Sequence, residues 1–122
     1  MAHVLVIDDD PLFREIAQEI LTQEGHAVTL ADDGSKTTRL PSEPAPDLAI
    51  VDMLMPERDG IETIADLQAR WPLIKVIAVS AGGKSLEPDL LLRAAKALGA
   101  DATLSKPLER AAFIDLVSRL VG

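Results

Sequence analysis

The sequence predicts an α/β fold, (βα)5, in which a doubly wound parallel sheet of five strands carries helices on both faces. Three observations predict it. Five short apolar runs recur along the 122 residues, and segments with apolar residues at helical spacing separate them. The length fits one domain, and no internal repeat interrupts the alternation. Alternation of this kind requires crossover connections, which are right-handed in nearly all parallel sheets.

The first strand and the first helix are predicted at the N-terminus. Residues 2–7 are apolar and end abruptly at Asp8-Asp9-Asp10, a pattern typical of a strand buried on both faces. The apolar residues that follow at helical spacing are Phe13, Ile16, Ala17, Ile20 and Leu21. Asp10 suits the N-cap of this helix, Pro11 its first turn and Gly25 its end.

The region between the first helix and the third strand is less regular. Residues 26–31 predict a second strand, since smaller or polar side chains alternate with larger apolar ones from Ala27 to Leu30. Residues 33–41 contain glycine, two threonines and proline, so a helix there is short, and residues 41–46 predict a loop. Residues 48–51 predict a third buried strand, which again ends in an acid, Asp52.

The second half of the chain repeats the alternation. Residues 55–60 are turn-forming, and residues 74–79 and 101–104 predict the fourth and fifth strands. The apolar residues that predict the remaining helices form three groups: Ile61, Ile64 and Leu67; Leu90, Leu91, Ala94, Ala95 and Leu98; and Phe113, Leu116, Val117, Leu120 and Val121.

The composition disfavours several classes of function. Twenty Asp and Glu outnumber twelve Lys and Arg, so the net charge is −8 and the pI is near 4.6. This charge disfavours direct binding to nucleic acid or to an anionic membrane. The absence of cysteine excludes disulfides, thiolate metal sites and a cysteine nucleophile. No apolar run is long enough to span a membrane and no basic signal segment begins the chain, so we expect a cytoplasmic domain.

Five polar residues are predicted at the carboxyl ends of the strands, where open α/β sheets place their sites. Asp8 and Asp9 follow the first strand and Asp52 the third. Ser80 follows the fourth strand and Lys106 the fifth. Three neighbouring carboxylates repel one another and therefore require a cation. Oxygen ligands without histidine or cysteine nearby favour Mg²⁺.

This set of groups suits phosphoryl transfer to a carboxylate. A carboxylate next to Mg²⁺ can act as a nucleophile and accept a phosphoryl group as an acyl phosphate. The anionic transition state then needs positive charge and hydrogen-bond donors around its oxygens. Lys106 and the Ser80 hydroxyl can provide them, as can the backbone N–H groups after strands three and four, those of Met53 and Ala81.

Because of these motifs, the chain resembles the receiver domains of two-component response regulators, in particular single-domain regulators of the chemotaxis type. The resemblance covers essentially the whole chain, and the segments that carry it are residues 6–10, 51–60, 79–81, 98–101 and 105–107. It implies a flavodoxin-like sheet with strand order 2-1-3-4-5. It also implies that residues 1–122 form one receiver domain, with no output domain among them.

The resemblance assigns the acidic residues to the metal and to the phosphoryl group. Asp52 matches the aspartate that becomes phosphorylated in this family. Asp9 matches a direct ligand of Mg²⁺, and Asp8 matches an acid that holds the ion through water. Asp52 itself and the backbone carbonyl of Leu54 complete the implied metal site.

Other positions match the family's conformational switch. Ser80 matches the hydroxyl residue that moves toward the phosphoryl group, and Lys106 matches the lysine that pairs with that group. A cis peptide bond is implied before Pro107. Thr103 departs from the family, which usually has an aromatic ring there that turns inward on phosphorylation. The loop over residues 82–88, with two glycines, is the alternative route that we expect for the output.

The implied function is a phosphorylation switch and not an enzyme that acts on other molecules. A sensor histidine kinase or a phosphotransfer protein would donate a phosphoryl group to Asp52, and the domain would catalyse only its own phosphorylation and dephosphorylation. The added negative charge would change a surface that a downstream protein recognises.

Two alternatives stay open. A degenerate receiver would act only as a protein-binding module, although such a module has no need of the Asp, Ser and Lys set. A phosphatase of the haloacid dehalogenase type would use Asp8 as its nucleophile. However, Pro11 follows where that family has Gly-Thr, and Asp52 would have no role.

Overall fold

The structure of the protein is a computed structural model that describes residues 2–34, 39–41, 43–53, 60–80, 93, 96–97 and 99–121. Several predictions fall elsewhere: the helix around Leu90 to Leu98, the loop over residues 82–88, most of the turn over residues 55–60, and the positions of Leu54 and Ala81. These lie outside the described residues.

The described strands form one parallel sheet in the order β2-β1-β3-β4-β5, which confirms the predicted order. Their bounds are β1 His3–Ile7, β2 Ala27–Ala31, β3 Leu48–Asp52, β4 Lys75–Ser80 and β5 Ala102–Ser105. Each bound lies within one residue of its prediction. The sheet crosses over between β1 and β3, so its carboxyl edge has a topological switch point there.

Parallel register brings the strand ends to one edge. Ile7, the last residue of β1, is opposite Val51 of β3, and Ser80, the last residue of β4, is opposite Ser105 of β5. Polar residues at or just after these positions therefore lie side by side along the carboxyl edge of the sheet: Asp8, Asp52, Ser80 and Lys106.

Three helices are described in full: α1 Pro11–Gln23, α2 Gly60–Arg70 and α3 Arg110–Val121. Asp10 caps α1, since its side chain accepts a hydrogen bond from the Leu12 N–H at 2.9 Å. Gly25 follows the end of α1 with φ +89°, a conformation that favours glycine. Both ends of α1 are thus as predicted. None of the described helices is long and apolar enough to cross a membrane.

An apolar layer lies on each face of the sheet, which confirms the predicted doubly wound packing. On one face, Leu5 and Ile7 of β1 belong to a cluster with Ile64 and Leu67 of α2. On the other face, Val4 and Val6 of β1 belong to a cluster with residues of α1 and α3, among them Phe13, Leu21, Phe113 and Val117. Burying each large apolar side chain contributes about 1.5–3 kcal/mol. The strands are therefore held in place by packed apolar side chains on both faces of the sheet.

The outer side of α1 departs from the predicted pattern. Helical spacing places Ile16 on the apolar face, but its side chain is 40% exposed, and Leu12 is 62% exposed. The buried stripe runs through Phe13, Ala17 and Leu21 at i, i+4 and i+8, and Ile16 lies at its margin. Two apolar side chains consequently face solvent near the carboxyl edge.

Candidate functional site

Three carboxylates meet at the carboxyl edge of the sheet. One oxygen from each of Asp8, Asp9 and Asp52 lies within 4.8 Å of the other two. Asp8 and Asp52 are 0% and 4% exposed, whereas Asp9 is exposed. Because like charges at this distance repel, the set favours a bound cation. Its oxygen ligands fit a hard ion such as Mg²⁺.

Lys106 faces these acids. Its Nζ lies 2.9 Å from Asp8 Oδ2 and 3.8 Å from Asp52 Oδ2. Burial lowers the pKa of Lys106, but the hydrogen bond to Asp8 and the charges of the nearby carboxylates outweigh burial, so the pKa lies above its ordinary value of 10.5. Lys106 is therefore a fixed positive charge at neutral pH.

Both carboxylate oxygens of Asp8 are engaged. Oδ1 accepts a hydrogen bond from the Asp10 N–H at 2.9 Å, and Oδ2 pairs with Lys106. The Asp8 N–H donates to the Ala31 carbonyl at 3.1 Å. A metal ion bound directly to Asp8 would compete with two existing contacts, whereas one bound through water would leave them in place.

Ser80 contributes a buried hydroxyl to the same edge. The residue is 3% exposed, and within the described part of the chain its Oγ has no hydrogen-bond partner. A buried hydroxyl without a partner costs about 1–3 kcal/mol. A ligand that brings acceptor oxygens to this edge would recover that cost.

Of the two backbone N–H groups predicted to bind phosphoryl oxygens, the structure describes one, that of Met53. The Met53 N–H donates to the Val79 carbonyl at 2.9 Å and so continues the β3–β4 ladder. A phosphoryl oxygen would therefore share this N–H with the Val79 carbonyl, and the role predicted for Met53 stays a prediction. Ala81, the second predicted donor, and Leu54, the predicted carbonyl ligand, lie outside the described residues.

The remaining switch positions lie on β5 and directly after it. The peptide bond between Lys106 and Pro107 is cis, as the resemblance implied. Thr103 lies within β5 opposite Ala78 and is partly exposed. β5 is the last strand in the sheet order, and the Thr103 side chain is far smaller than the aromatic ring expected at this position.

Gly60, the first residue of α2, packs closely against the backbone of the strand end that carries Asp52. A Cβ at Gly60 would lie 2.7 Å from both the Asp52 carbonyl oxygen and the Met53 Cα. The Gly60 N–H donates to the Met53 carbonyl at 3.2 Å. Any larger residue would push the helix away from the strand end that carries Asp52.

Sequence reasoning missed the contacts of two residues on α1. The Phe13 ring centroid lies 4.8 Å from Lys106 Nζ, a cation–π arrangement. Arg14 Nη1 donates to the Asp8 backbone carbonyl at 2.6 Å. Helical spacing places Phe13 toward the core, but it gives no signal of either contact beyond the closeness of both residues to Asp8-Asp9-Asp10.

The model of the response regulator receiver domain family matches residues 4–118. The chain belongs to this family. Receiver domains are signalling switches of phosphorylation-based two-component systems, and they interact with histidine kinases and effector domains. The family resemblance drawn from the motifs is therefore confirmed.

Curated relatives include regulators of two sizes. The chain is 34% identical to the transcriptional regulatory protein GlrR of Escherichia coli (strain K12) over 116 residues, which cover 95% of this chain but only 25% of GlrR. It is 30% identical to the chemotaxis protein CheY of Halobacterium salinarum over 115 residues, or 94% of this chain and 92% of CheY. The chain is thus similar both to a short regulator and to a quarter of a longer one.

Solved structures show the same architecture. The response regulator TrrA of Thermotoga maritima, in complex with Mg²⁺-BeF, matches with a TM-score of 0.79 and 26% identity, covering 99% of this chain and 100% of TrrA. A CheY-like receiver domain from Methanospirillum hungatei matches with a TM-score of 0.83 and 25% identity, covering 98% of this chain and 92% of that one. Both matches confirm the flavodoxin-like fold.

Proposed function

We propose that this chain is a phosphoacceptor receiver in which Asp52 takes a phosphoryl group in the presence of Mg²⁺. The observation that carries the proposal is the grouping of a buried Asp52 with Asp8 and Asp9 within 4.8 Å, and with Lys106 at 3.8 Å. A binding module without chemistry has no need to bury acids together in this way. The Mg²⁺-BeF complex of TrrA, which shares the fold, supports the same assignment.

The proposed reaction transfers the phosphoryl group from a donor phosphohistidine. A carboxylate oxygen of Asp52 forms a bond to phosphorus while the P–N bond of the donor breaks, and the electron pair of that bond returns to the imidazole nitrogen. Lys106 binds an equatorial phosphoryl oxygen with its ammonium group, and Ser80 donates its hydroxyl hydrogen to another. When bound, Mg²⁺ supplies positive charge to the carboxylates and the phosphoryl oxygens.

The proposed metal ligands are unequal. Asp9 and Asp52 would hold Mg²⁺ directly, and the family resemblance adds the backbone carbonyl of Leu54. Asp8 acts through water, because its Oδ1 already accepts a hydrogen bond from the Asp10 N–H and its Oδ2 forms an ion pair with Lys106. Mg²⁺ usually retains several waters in proteins, which fits an indirect contact.

We place the phosphodonor on the exposed side of α1. Leu12 and Ile16 line a groove of about 300 Å³ with Pro107 and Leu108, and Lys106 lies in the same groove. A histidine kinase or phosphotransfer protein must bring its phosphohistidine to this edge, and exposed apolar side chains beside the edge suit that contact. The occupant is therefore the donor domain.

The proposed output is a change in protein–protein contacts. Phosphorylation adds about −1.5 to −2 charges at the edge. Ser80 and Lys106 move toward the phosphoryl group, and this movement changes a surface that a downstream protein recognises. The net charge of −8 disfavours direct binding to nucleic acid and suits a regulator that acts through protein contacts.

Intact-mass measurement tests the acceptor. Wild type, Asp52→Asn and Asp47→Asn are incubated with phosphoramidate or acetyl phosphate, with and without Mg²⁺. We expect one phosphoryl group on wild type and on Asp47→Asn, only with Mg²⁺, and none on Asp52→Asn. Asp47→Asn is the matched control, because it makes the same charge change at the opposite edge of the sheet.

Two results would overturn the proposal. An adduct that persists in Asp52→Asn would favour the phosphatase alternative, with Asp8 as nucleophile. Failure of wild type to bind both Mg²⁺ and beryllofluoride by calorimetry would favour a degenerate receiver. If wild type binds Mg²⁺ and beryllofluoride but forms no adduct, it accepts a phosphoryl group only from a protein donor.

The donor surface has its own test. Ile16→Asp should lower the rate of transfer from a phosphohistidine protein at least tenfold, while phosphorylation by phosphoramidate stays at the wild-type rate. Leu73→Asp is the control, since Leu73 is 93% exposed and precedes β4 at the opposite edge. Equal loss in both variants would remove α1 from the proposed contact.

A further inference from the structure

Arg14 connects helix α1 to the acidic turn that follows β1. Its side chain is partly buried, and its Nη1 donates to the backbone carbonyl of Asp8 at 2.6 Å. Its own backbone N–H donates to the Asp10 carbonyl at 3.1 Å. The backbone bond is the first of helix α1 and does not depend on the side chain, so the guanidinium contact with the Asp8 carbonyl is what Arg14 adds to the turn.

We propose that Arg14 is a positioning residue for the metal site, acting through the peptide that joins Asp8 to Asp9. This inference rests on the proposed function. The peptide unit is planar, so a donor that fixes the Asp8 carbonyl oxygen also fixes the Asp9 N–H and the direction in which the chain enters the Asp9 Cα. The Asp9 carboxylate then leaves the turn in a defined direction.

The acids differ in how much they need this support. Asp8 is held independently, by the Asp10 N–H and by Lys106. Asp9 is exposed, and repulsion from Asp8 and Asp52 pushes its carboxylate toward solvent. A fixed turn opposes that movement, so loss of the Arg14 contact acts mainly on Asp9, the proposed direct ligand.

Arginine suits the task for two reasons. It reaches from the first turn of α1 to the strand end, and its planar guanidinium presents several N–H donors to a carbonyl oxygen. Removing partners that orient metal ligands typically lowers metal affinity by about 10–100-fold. We place the Arg14 contact at the lower end, because it acts on a backbone carbonyl and not on a ligand atom.

The sign of the change in Mg²⁺ affinity separates positioning from simple electrostatics. A cation near the site repels Mg²⁺, so its removal by charge alone would tighten Mg²⁺ binding. Positioning predicts the opposite. We expect Arg14→Met to raise the Mg²⁺ dissociation constant, measured by calorimetry on the whole unphosphorylated chain, about tenfold.

Two further variants complete the design. Arg119→Met removes the same charge from the last turn of α3, where Arg119 pairs with Asp115 at 3.3 Å, and should leave the Mg²⁺ dissociation constant within twofold of wild type. Arg14→Lys keeps the charge and a single donor and should restore part of the affinity. If Arg14→Met does not fold, the Arg14→Lys value alone decides: an unchanged or tighter constant overturns the proposal.

Phosphorylation kinetics give a second readout. In Arg14→Met the Mg²⁺ concentration for half-maximal phosphorylation by phosphoramidate should rise about tenfold, while the rate at saturating Mg²⁺ stays near wild type. A purely structural role would lower stability toward urea without shifting the Mg²⁺ dependence, and that result would contradict the proposal. If wild type itself neither binds Mg²⁺ nor becomes phosphorylated, the proposed function fails instead.

Discussion

Aspartates lie at both the amino and the carboxyl edge of the same sheet, and their burial and their partners differ between the two edges. At the amino edge, Asp47 and Asp101 each precede a strand. One carboxylate oxygen of Asp47 accepts from the His3 N–H at 2.8 Å, and one of Asp101 accepts from the Val76 N–H at 2.8 Å. Both residues remain exposed to water.

At the carboxyl edge two of the three acids, Asp8 and Asp52, are buried and lie close to each other. Asp8 and Asp52 are almost inaccessible, and Lys106 is the cation that the described residues place between them. At the amino edge, backbone N–H groups and solvent stabilise each carboxylate separately. Position relative to the strand thus separates the two kinds of acid. Asp47 and Asp101, which precede β3 and β5, each accept an N–H from the neighbouring strand, β1 or β4. The acids at the strand ends belong to the candidate site.

The largest expected difference between the edges concerns Mg²⁺. At a concentration of 100 times its dissociation constant, Mg²⁺ should stabilise wild type against urea by about 2.7 kcal/mol, and chelation by EDTA should remove this gain. Asp9→Asn should lose most of the gain, whereas Asp101→Asn should keep it. Equal stabilisation of both variants would show that Mg²⁺ binds away from the carboxyl edge.

The next effect is a loss of stability at the amino edge. Asp101→Ala removes the acceptor of the Val76 N–H, and Val76 is 0% exposed. An unsatisfied N–H at a buried residue costs about 1–3 kcal/mol, so urea unfolding in EDTA should show a loss of that size. Asp101→Asn keeps a side-chain oxygen and should lose less than half as much. No loss in Asp101→Ala would mean that water replaces the carboxylate.

At the carboxyl edge, we expect replacement of an acid to raise the free energy of unfolding and not to lower it. In EDTA, Asp52→Asn removes a buried charge that two other carboxylates repel, while the shorter Lys106–Asp8 contact remains. We expect a gain of about 1 kcal/mol in the free energy of unfolding. Asp47→Asn, with the same charge change, should lie within about 0.5 kcal/mol of wild type. A loss in Asp52→Asn would mean that the attraction of Lys106 outweighs the repulsion.

The sequence predicted which polar residues lie at the carboxyl edge of the sheet. It predicted less well which contacts the residues around that edge make. Asp8, Asp52, Ser80 and Lys106 follow directly from the strand ends, because parallel topology places all such residues on one side. Strand bounds shifted by one residue, since ladder hydrogen bonds and not apolar composition decide where pairing stops.

Contacts that depend on register or side-chain reach could not be predicted. The engagement of the Met53 N–H by Val79 follows from the exact β3–β4 register, which no local pattern contains. Arg14 looks like an ordinary polar residue on an amphipathic helix, and only its reach back to the Asp8 carbonyl gives it a role. Spacing likewise could not show that Ile16 lies at the margin of the buried face.

The smallest expected effect is the dependence of stability on alkaline pH. The pKa of Lys106 is raised in the folded protein despite burial, through its hydrogen bond to Asp8 and the nearby carboxylates. A raised folded pKa means that this stabilisation is complete below the unfolded pKa, near 10.4, and is lost as the pH rises through the folded value. Wild type should therefore lose stability toward urea above about pH 10 by more than Lys106→Met does. Lys75→Met, which removes an exposed lysine at the amino edge, should follow the wild-type pH profile. A Lys106→Met profile parallel to wild type would place the alkaline loss at other groups and would leave Lys106 without the electrostatic role that distinguishes the two edges.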